Sequence, residues 1–595
     1  MHYVYNGKLL YVDLTERRWE ERPISEEDVR CFLLGSGLGV AMFHKDKAFQ
    51  KPPLAPESPL YILTGLLTGT FVPAACKTCF CARSPLTEIW CESTVGGYWG
   101  AQLRFAGYDG IVVRGKAPEP VYLWINDGKV EIRSAEHLRG LDVYQTVERI
   151  KAETHPKAQV AAIGPAGENG VHTAAVIIGG LEGRAAGRGG MGAVMGAKNL
   201  KAIAVRGTQR PHYYDETKLR QSVREAIVKI KEANMGMSLW GTAGGIPKAE
   251  ASGDFPLKNW REGSWPEGAE KLSGQRIRET IFVRDYRCFA CPIGCGKDVK
   301  VVENGQEKMA SGPEYETIAG FGGMCLVDDL NAVALANDLC NRLGLDTISV
   351  SSAIAFAIEA FERGLIGRED TGGLELMWGD GKAVIRLVED IAYRRGIGEL
   401  LAKGVRKAAQ ELGGEAEAFA VHVKGMEVPY HDPRAFVNMA LNYATANRGA
   451  CHLESLTYWM GYGIRIEGLY TPEPFDPHSA TGKARMVVEF QNYMGLYNAL
   501  GLCKFIAKAG ISPSLLAEWV NLTLGWDVSA EELMNIGDRL FNLKRQVNVE
   551  MGISKADDIL PPRLLKEPRP TGGAAGVLPP LEAMLKEYYK LRGWD

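Results

Sequence analysis

The sequence predicts an α+β protein with a β-rich first third and a mainly helical remainder. Three observations carry this. Short β-branched and aromatic runs crowd the first 210 residues. From about residue 215, apolar residues recur at spacings of three and four. The chain has 595 residues, 46% apolar and 24% charged, which is ordinary for several packed domains.

The strands come first. Leu9-Leu10-Tyr11-Val12-Asp13-Leu14 and Ile111-Val112-Val113-Arg114 have strand composition. Val121–Ile125 and Val130–Ile132 flank Asn126-Asp127-Gly128, residue types that suit a tight hairpin turn. Eleven of the 69 glycines fall between Gly164 and Gly196, where backbone freedom or close approach to a ligand outweighs packing. Lys201–Val205 closes this region as another strand. Then Leu219, Val223, Ile227 and Ile230 mark one face of a helix over 215–234. Further helices are expected at 330–344, 349–364, 381–396, 398–412, 482–500, 513–524, 529–549 and 580–592. Ile348–Phe361 is the most apolar stretch, but Glu359 and its small residues make it a buried helix. Pro568–Gly573 reads as a surface linker before the last helix.

Composition excludes several functions. With 69 basic and 72 acidic residues the net charge is −3, so no basic field points to nucleic acid. No run reaches the ~18 apolar residues of a membrane span, and the N-terminus lacks a signal-peptide pattern. A cytoplasmic location is expected, where clustered thiols suggest metal or redox chemistry. Twelve cysteines are too sparse for a disulfide framework.

Three of them form Cys288-x2-Cys291-x3-Cys295, interleaved with Pro292, Gly294 and Gly296. Thiolates at this spacing suit one corner of an iron–sulfur cubane. A zinc site, which usually uses two separated pairs, and three unrelated core cysteines are the alternatives. A fourth ligand must be distant: Cys503 is the best candidate and Cys340 a poorer one. Gly187-Arg-Gly189-Gly-Met-Gly192 formally matches a dinucleotide fingerprint, but no apolar strand precedes it, so that reading is set aside.

Over essentially its whole length the chain resembles the aldehyde ferredoxin oxidoreductase family of tungsten enzymes. The resemblance rests on Leu67-Thr68-Gly69-Thr70, Ser84-Pro85-Leu86-Thr87, Gly96-Gly97-Tyr98-Trp99-Gly100 and Phe105–Asp109. It continues through Ala186–Gly196, the cysteine triplet, Gly312–Thr317 and Asn447-Arg448-Gly449-Ala450-Cys451-His452-Leu453. It implies a β-rich cofactor-binding base domain over 1–210 and two mainly helical domains, 211–415 and 416–595. It also implies tungsten or molybdenum held by two pyranopterin dithiolenes, a [4Fe-4S] cluster and Mg2+. The family's Asp-x-x-Gly-Leu-Asp/Cys motif corresponds to Asn341-x-x-Gly344-Leu345-Asp346 and Asn498-x-x-Gly501-Leu502-Cys503. Asn replaces the first Asp in both, keeping an acceptor without the charge. The second motif supports Cys503 as the fourth cluster ligand.

By the same resemblance, Arg184, Ala185, Gly187 and Arg188 cradle the pterin phosphates and magnesium. Lys77 stands where the family has an arginine bridging pterin and cluster. Thr94, shortly before Gly96 and Gly97, stands where a magnesium-binding asparagine is expected. Cys76, Cys79, Cys81 and Cys91 read as strand residues, with Cys79 and Cys81 on one face; a second cluster or a thiolate near tungsten is the alternative. Glu316 and His452 should face the metal as proton acceptor and carbonyl polariser, against the alternatives of a helix-start acid and a core histidine. His431 is a second-tier candidate and Tyr315 a substrate contact. The expected activity is oxidation of aldehydes to carboxylic acids, with electrons passing to ferredoxin or a small iron–sulfur subunit. The rivals are a benzoyl-CoA reductase-like dearomatising subunit and a non-catalytic iron–sulfur scaffold. Family membership also makes a homodimer an expectation.

Overall fold

Period-two alternation builds two six-stranded sheets in a computed structural model that describes residues 3–594. The first contains β1 (Lys8–Asp13), β2 (Arg18–Pro23), β3 (Leu60–Thr64), β4 (Thr78–Arg83), β5 (Trp90–Val95) and β6 (Gly110–Arg114), in the order β2-β1-β6-β3-β4-β5. The second contains β7 (Val121–Asn126), β8 (Lys129–Ser134), β9 (Gln159–Ala162), β10 (Val176–Ile178), β11 (Arg184–Ala186) and β12 (Leu200–Arg206), in the order β11-β10-β9-β12-β7-β8. Pairing is antiparallel except for β1 with β6 and β7 with β12. The turn at Asn126-Asp127-Gly128 joins β7 and β8 as expected, with Asp127 and Gly128 at positive φ.

Alternation decides what each face meets. Leu10, Val12, Ile62, Phe80, Ile111 and Val113 of the first sheet share a core with Leu123, Ile125, Val176, Ile203 and Val205 of the second. The other face of the first sheet, with Tyr61, Leu63, Cys79 and Cys81, joins the main core of the helical part. The outer face of the second sheet, with Tyr122, Val160 and Ala204, is covered by the helix Val143–Glu153. Burying each large apolar side chain contributes roughly 1.5–3 kcal/mol.

Helices dominate the rest of the α+β fold. Glu216–Ala233 buries Leu219, Val223 and Ile230, three of the four positions read from spacing. The expected helix over 398–412 is instead two pieces, Ile397–Leu401 and Val405–Leu412, because Gly404 adopts φ +84. The apolar helix Thr347–Glu362 lies inside the protein, and its Glu359 is paired there with Arg563 at 2.7 Å. The Pro568–Gly573 stretch is not a plain surface linker: Arg569 is buried and paired with Asp432 at 2.8 Å. Among the described residues no helix is long and apolar enough to cross a membrane.

A third sheet, β13 (Phe282–Tyr286), β14 (Gly296–Glu303) and β15 (Gln306–Ser311), holds the cysteine triplet in the connection between its first two strands.

Candidate cofactor and active site

The two Asn-x-x-Gly-Leu motifs occupy equivalent helix ends. Leu330–Leu343 stops at Gly344 with φ +74, and Lys483–Leu500 stops at Gly501 with φ +81. In the first, the N–H groups of Gly344 and Leu345 both donate to Cys340 O; in the second, those of Gly501 and Leu502 both donate to Tyr497 O. Glycine is the residue that takes this left-handed cap without strain. Each end docks on a different sheet region. Ala175 N–H donates to Gly344 O beside β10, whereas Leu66 and Leu67 N–H donate to Ala499 O and Leu500 O beyond β3. Asp346 caps the next helix through Ile348 and Ser349 N–H and lies 3.4 Å from Arg188. Asn498 donates to Glu92 at 2.7 Å, and Glu92 pairs with Lys544 at 2.7 Å, all buried. Asn498 is therefore a neutral donor in a buried network with the Glu92–Lys544 ion pair.

The glycine-rich segment lies against these ends. A Cβ at Gly183 would sit 2.5 Å from the Asn341 amide, and one at Gly187 would sit 3.2 Å from Asp346 Oδ1. Arg184 and Ala185 fall in β11, an edge strand antiparallel to β10 and packed on β5, which carries Thr94 opposite Cys79. That topology is not a βαβ unit, so the dinucleotide reading fails. Arg184 donates to Glu314 at 2.8 Å and stacks on Tyr286, while its Nε and Nη2 are buried without a hydrogen-bond partner among the described residues. The Thr173 hydroxyl is orphaned likewise. Buried polar groups are normally satisfied, so these unmatched donors fit an anionic, polar ligand lodged between two similar helix ends, as a bis-pterin would be.

Cys288, Cys291, Cys295 and Cys503 are all partly buried and border one space. Cys288 and Cys503 act electrostatically on both Cys291 and Cys295. Among the described residues no three His, Cys, Asp or Glu groups converge tightly enough for a single metal ion. Cys503 N–H donates to Ala74 O and Lys77 N–H to Gly501 O, which ties the second helix end to this region. Cys340 is buried inside its helix and borders Asp346 instead. Burial opposes charge on Lys77, but the Cys503, Cys76 and Cys288 sulfurs hold its ammonium above the usual range. A Cβ at Gly96 would lie 2.9 Å from Cys288 Sγ and 3.6 Å from Lys77 Nζ, so only glycine fits.

Cys79 and Cys81 are core residues on one face of β4, and Cys91 lies in β5 against Gly189. Cys76 differs. It precedes β4, and a Cβ at Gly96 would lie 3.8 Å from its sulfur and 2.9 Å from that of Cys288, which places a fifth thiol beside the triplet. Sequence spacing offered this only as the alternative reading of the four cysteines Cys76, Cys79, Cys81 and Cys91.

Glu316 and His452 meet at the inner end of a cavity of about 370 Å³ walled by Tyr458, Trp459, Tyr462 and Phe505. Glu316 lies in the short helix Tyr315–Ile318, and its Oε2 accepts Tyr430 N–H at 2.9 Å. Its Oε1 is buried without a hydrogen bond, 3.5 Å from His452 Nε2 and 3.7 Å from His431 Nε2. Burial raises the Glu316 carboxyl above the usual range. Burial, then the nearby His431, Arg188 and Arg448, holds His452 well below its own. His431 Nδ1 is 2.7 Å from Asp254 Oδ2, which also accepts the Tyr462 hydroxyl at 3.0 Å. Sequence reading missed Asp254, Glu92 and Lys544; only Glu92, an acid inside the apolar run Trp90-Cys91-Glu92, left a local signal.

Residues 9–207 match the aldehyde ferredoxin oxidoreductase N-terminal domain, and residues 218–595 match domains 2 and 3 of the same family. The chain is 39% identical over 599 residues to the tungsten-containing aldehyde ferredoxin oxidoreductase of Pyrococcus abyssi, covering 99% of this chain and 96% of that one. It is 32% identical over 630 residues to the WOR-like subunit of an aliphatic sulfonate oxidoreductase of Pyrococcus furiosus, covering 100% and 95%. A solved structure, the active site complex BamBC of benzoyl coenzyme A reductase with 1,5-dienoyl-CoA, superposes with a TM-score of 0.87 at 27% identity, covering 100% of this chain and 95% of that one. The chain therefore belongs to the aldehyde ferredoxin oxidoreductase family, a family of tungsten oxidoreductases.

Proposed function

We propose that this protein oxidises aldehydes to carboxylic acids and delivers the electrons to a ferredoxin or a small iron–sulfur subunit. The observation that carries the reading is the juxtaposition of Glu316 and His452 at the inner end of an aromatic-walled cavity. When bound, a tungsten (or molybdenum) bis-pyranopterin and a [4Fe-4S] cluster supply the two-electron sink and the one-electron exit. Asn341, Gly344, Leu345 and Asp346 would hold one pterin arm, and Asn498, Gly501 and Leu502 the other. Arg184, Ala185, Gly187 and Arg188 would take the phosphates, with Mg2+ beside Thr94. Lys77, Gly96 and Gly97 would lie between pterin and cluster, and Cys288, Cys291, Cys295 and Cys503 would ligate the iron.

The reaction consumes water and aldehyde and releases acid, two protons and two electrons. A carboxylate with raised proton affinity is the better base, so Glu316 takes the proton from water. His452, kept neutral by burial and neighbouring cations, donates a ring N–H to the aldehyde oxygen and orients it. The aromatic walls exclude water from the rest of the cavity.

Glu316→Gln tests this. Purified without oxygen, it is expected to keep normal tungsten and iron but lose about 100-fold or more in aldehyde turnover. Full turnover would overturn the assignment. The BamBC likeness favours a second reading, chemistry on a coenzyme A thioester; thioester-dependent turnover without aldehyde turnover would establish it instead.

A further inference from the structure

We propose that His431, fixed in one tautomer by Asp254, is the group that receives the proton from Glu316. This rests on the aldehyde-oxidising reading and adds a residue to it.

Asp254 is fully buried, and its Oδ2 lies 2.7 Å from His431 Nδ1. A carboxylate accepts and does not donate, so the imidazole proton sits on Nδ1 and the Nε2 lone pair faces the cavity. The ring cannot turn away. It is stacked on Tyr458 with centroids 3.7 Å apart and on Tyr315 at 4.8 Å, and Tyr443 donates to its backbone carbonyl. Nε2 therefore faces Glu316 Oε1 at 3.7 Å, within reach of proton transfer after a small approach or through one water. Oε1 is the oxygen free to exchange a proton, because Oε2 is held by Tyr430 N–H.

Two imidazoles flank Oε1, and their surroundings differ. Burial, His431 itself and the cations Arg188, Arg448 and Lys504 all oppose a second proton on His452. His431, whose ring centroid is 5.6 Å from that of His452, has the Asp254 carboxylate behind it. On His431 the proton lies between the Glu316 and Asp254 carboxylates, 3.7 Å from one and with the other 2.7 Å from Nδ1. In the transfer the Oε1–H bond breaks as the Nε2–H bond forms, and no electrons change centre. The proton then passes from Nε2 to water admitted as product leaves.

Asp254 is thus a positioning residue and His431 the proton acceptor. Asp254→Asn is expected to lower kcat about 100-fold or more, with KM changed less than about threefold and with wild-type tungsten and iron contents. In a solid-state 15N spectrum of histidine-labelled protein, the Nδ1–H signal that His431→Asn removes should also be lost or shifted in Asp254→Asn. A wild-type kcat in Asp254→Asn, with that signal unchanged, would overturn the proposal. If Asp254→Asn does not fold, His431→Asn carries the kinetic test: a wild-type kcat there overturns it too. A wild-type enzyme that turns over no aldehyde counts against the function itself, whereas normal kcat in these variants counts against this assignment alone.

Discussion

Glu92 anchors a buried network in which Asn498 is a neutral donor and Lys544 the counter-charge. Asn498 stands where the family motif has an acid, yet its amide donates to the buried Glu92 carboxylate, which Lys544 neutralises at 2.7 Å. Removing one member of a buried pair strands the other without solvent. Glu92→Gln should therefore destabilise the protein by about 3–5 kcal/mol, read as a lowered denaturant midpoint in the metal-free protein; an unchanged midpoint would show that Lys544 finds another partner. Burial also raises the proton affinity of Glu316 and lowers that of His452, so an ionised Glu316 is a stronger base than an exposed carboxylate and sits beside a neutral imidazole.

At the scale of elements, the helices were legible because their cores need an apolar residue every three or four positions. Glu216–Ala233, Lys483–Leu500 and Leu581–Arg592 lie within a residue of the ranges read from spacing. The break at Gly404 was not legible, since a glycine inside a periodic stretch is compatible with either outcome until its φ is known. Strand order was hidden for a different reason: β1 pairs with β6 about a hundred residues away, and no local pattern encodes that choice. The motif-bearing helix ends were legible as chemistry, but their shared cap geometry was not. That geometry gives a direct expectation. Gly501→Ala would place a Cβ 2.1 Å from Thr68 Oγ1 at φ +81, so it should cost about 1–3 kcal/mol and loosen the Cys503 segment. A thermal midpoint equal to wild type would contradict it.

Across the whole molecule, the two sheets, the two helix ends and the cysteine loop converge on one buried region, and the aromatic cavity opens beside it. The triplet could be singled out from sequence because three cysteines within eight residues form a local pattern, and the fold brings Cys503 into their neighbourhood. The His431–Asp254 contact could not: its partners are 177 residues apart and meet only through packing. The sequence offered Cys76 only as one of four cysteines that an alternative reading set near the cofactor, since its neighbour Cys288 lies in the distant connection between β13 and β14. What these parts have in common is that Glu316, His452 and His431 lie in one cavity beside the glycine-rich and cysteine-bearing segments. The central claim is tested most directly by supplying an aldehyde and oxidised viologen to anaerobically purified, tungsten-loaded protein and measuring dye reduced against acid formed. The account predicts two reduced viologens for each carboxylic acid. Tungsten-loaded protein that reduces no dye with any aldehyde, yet does so with a coenzyme A thioester, would contradict it.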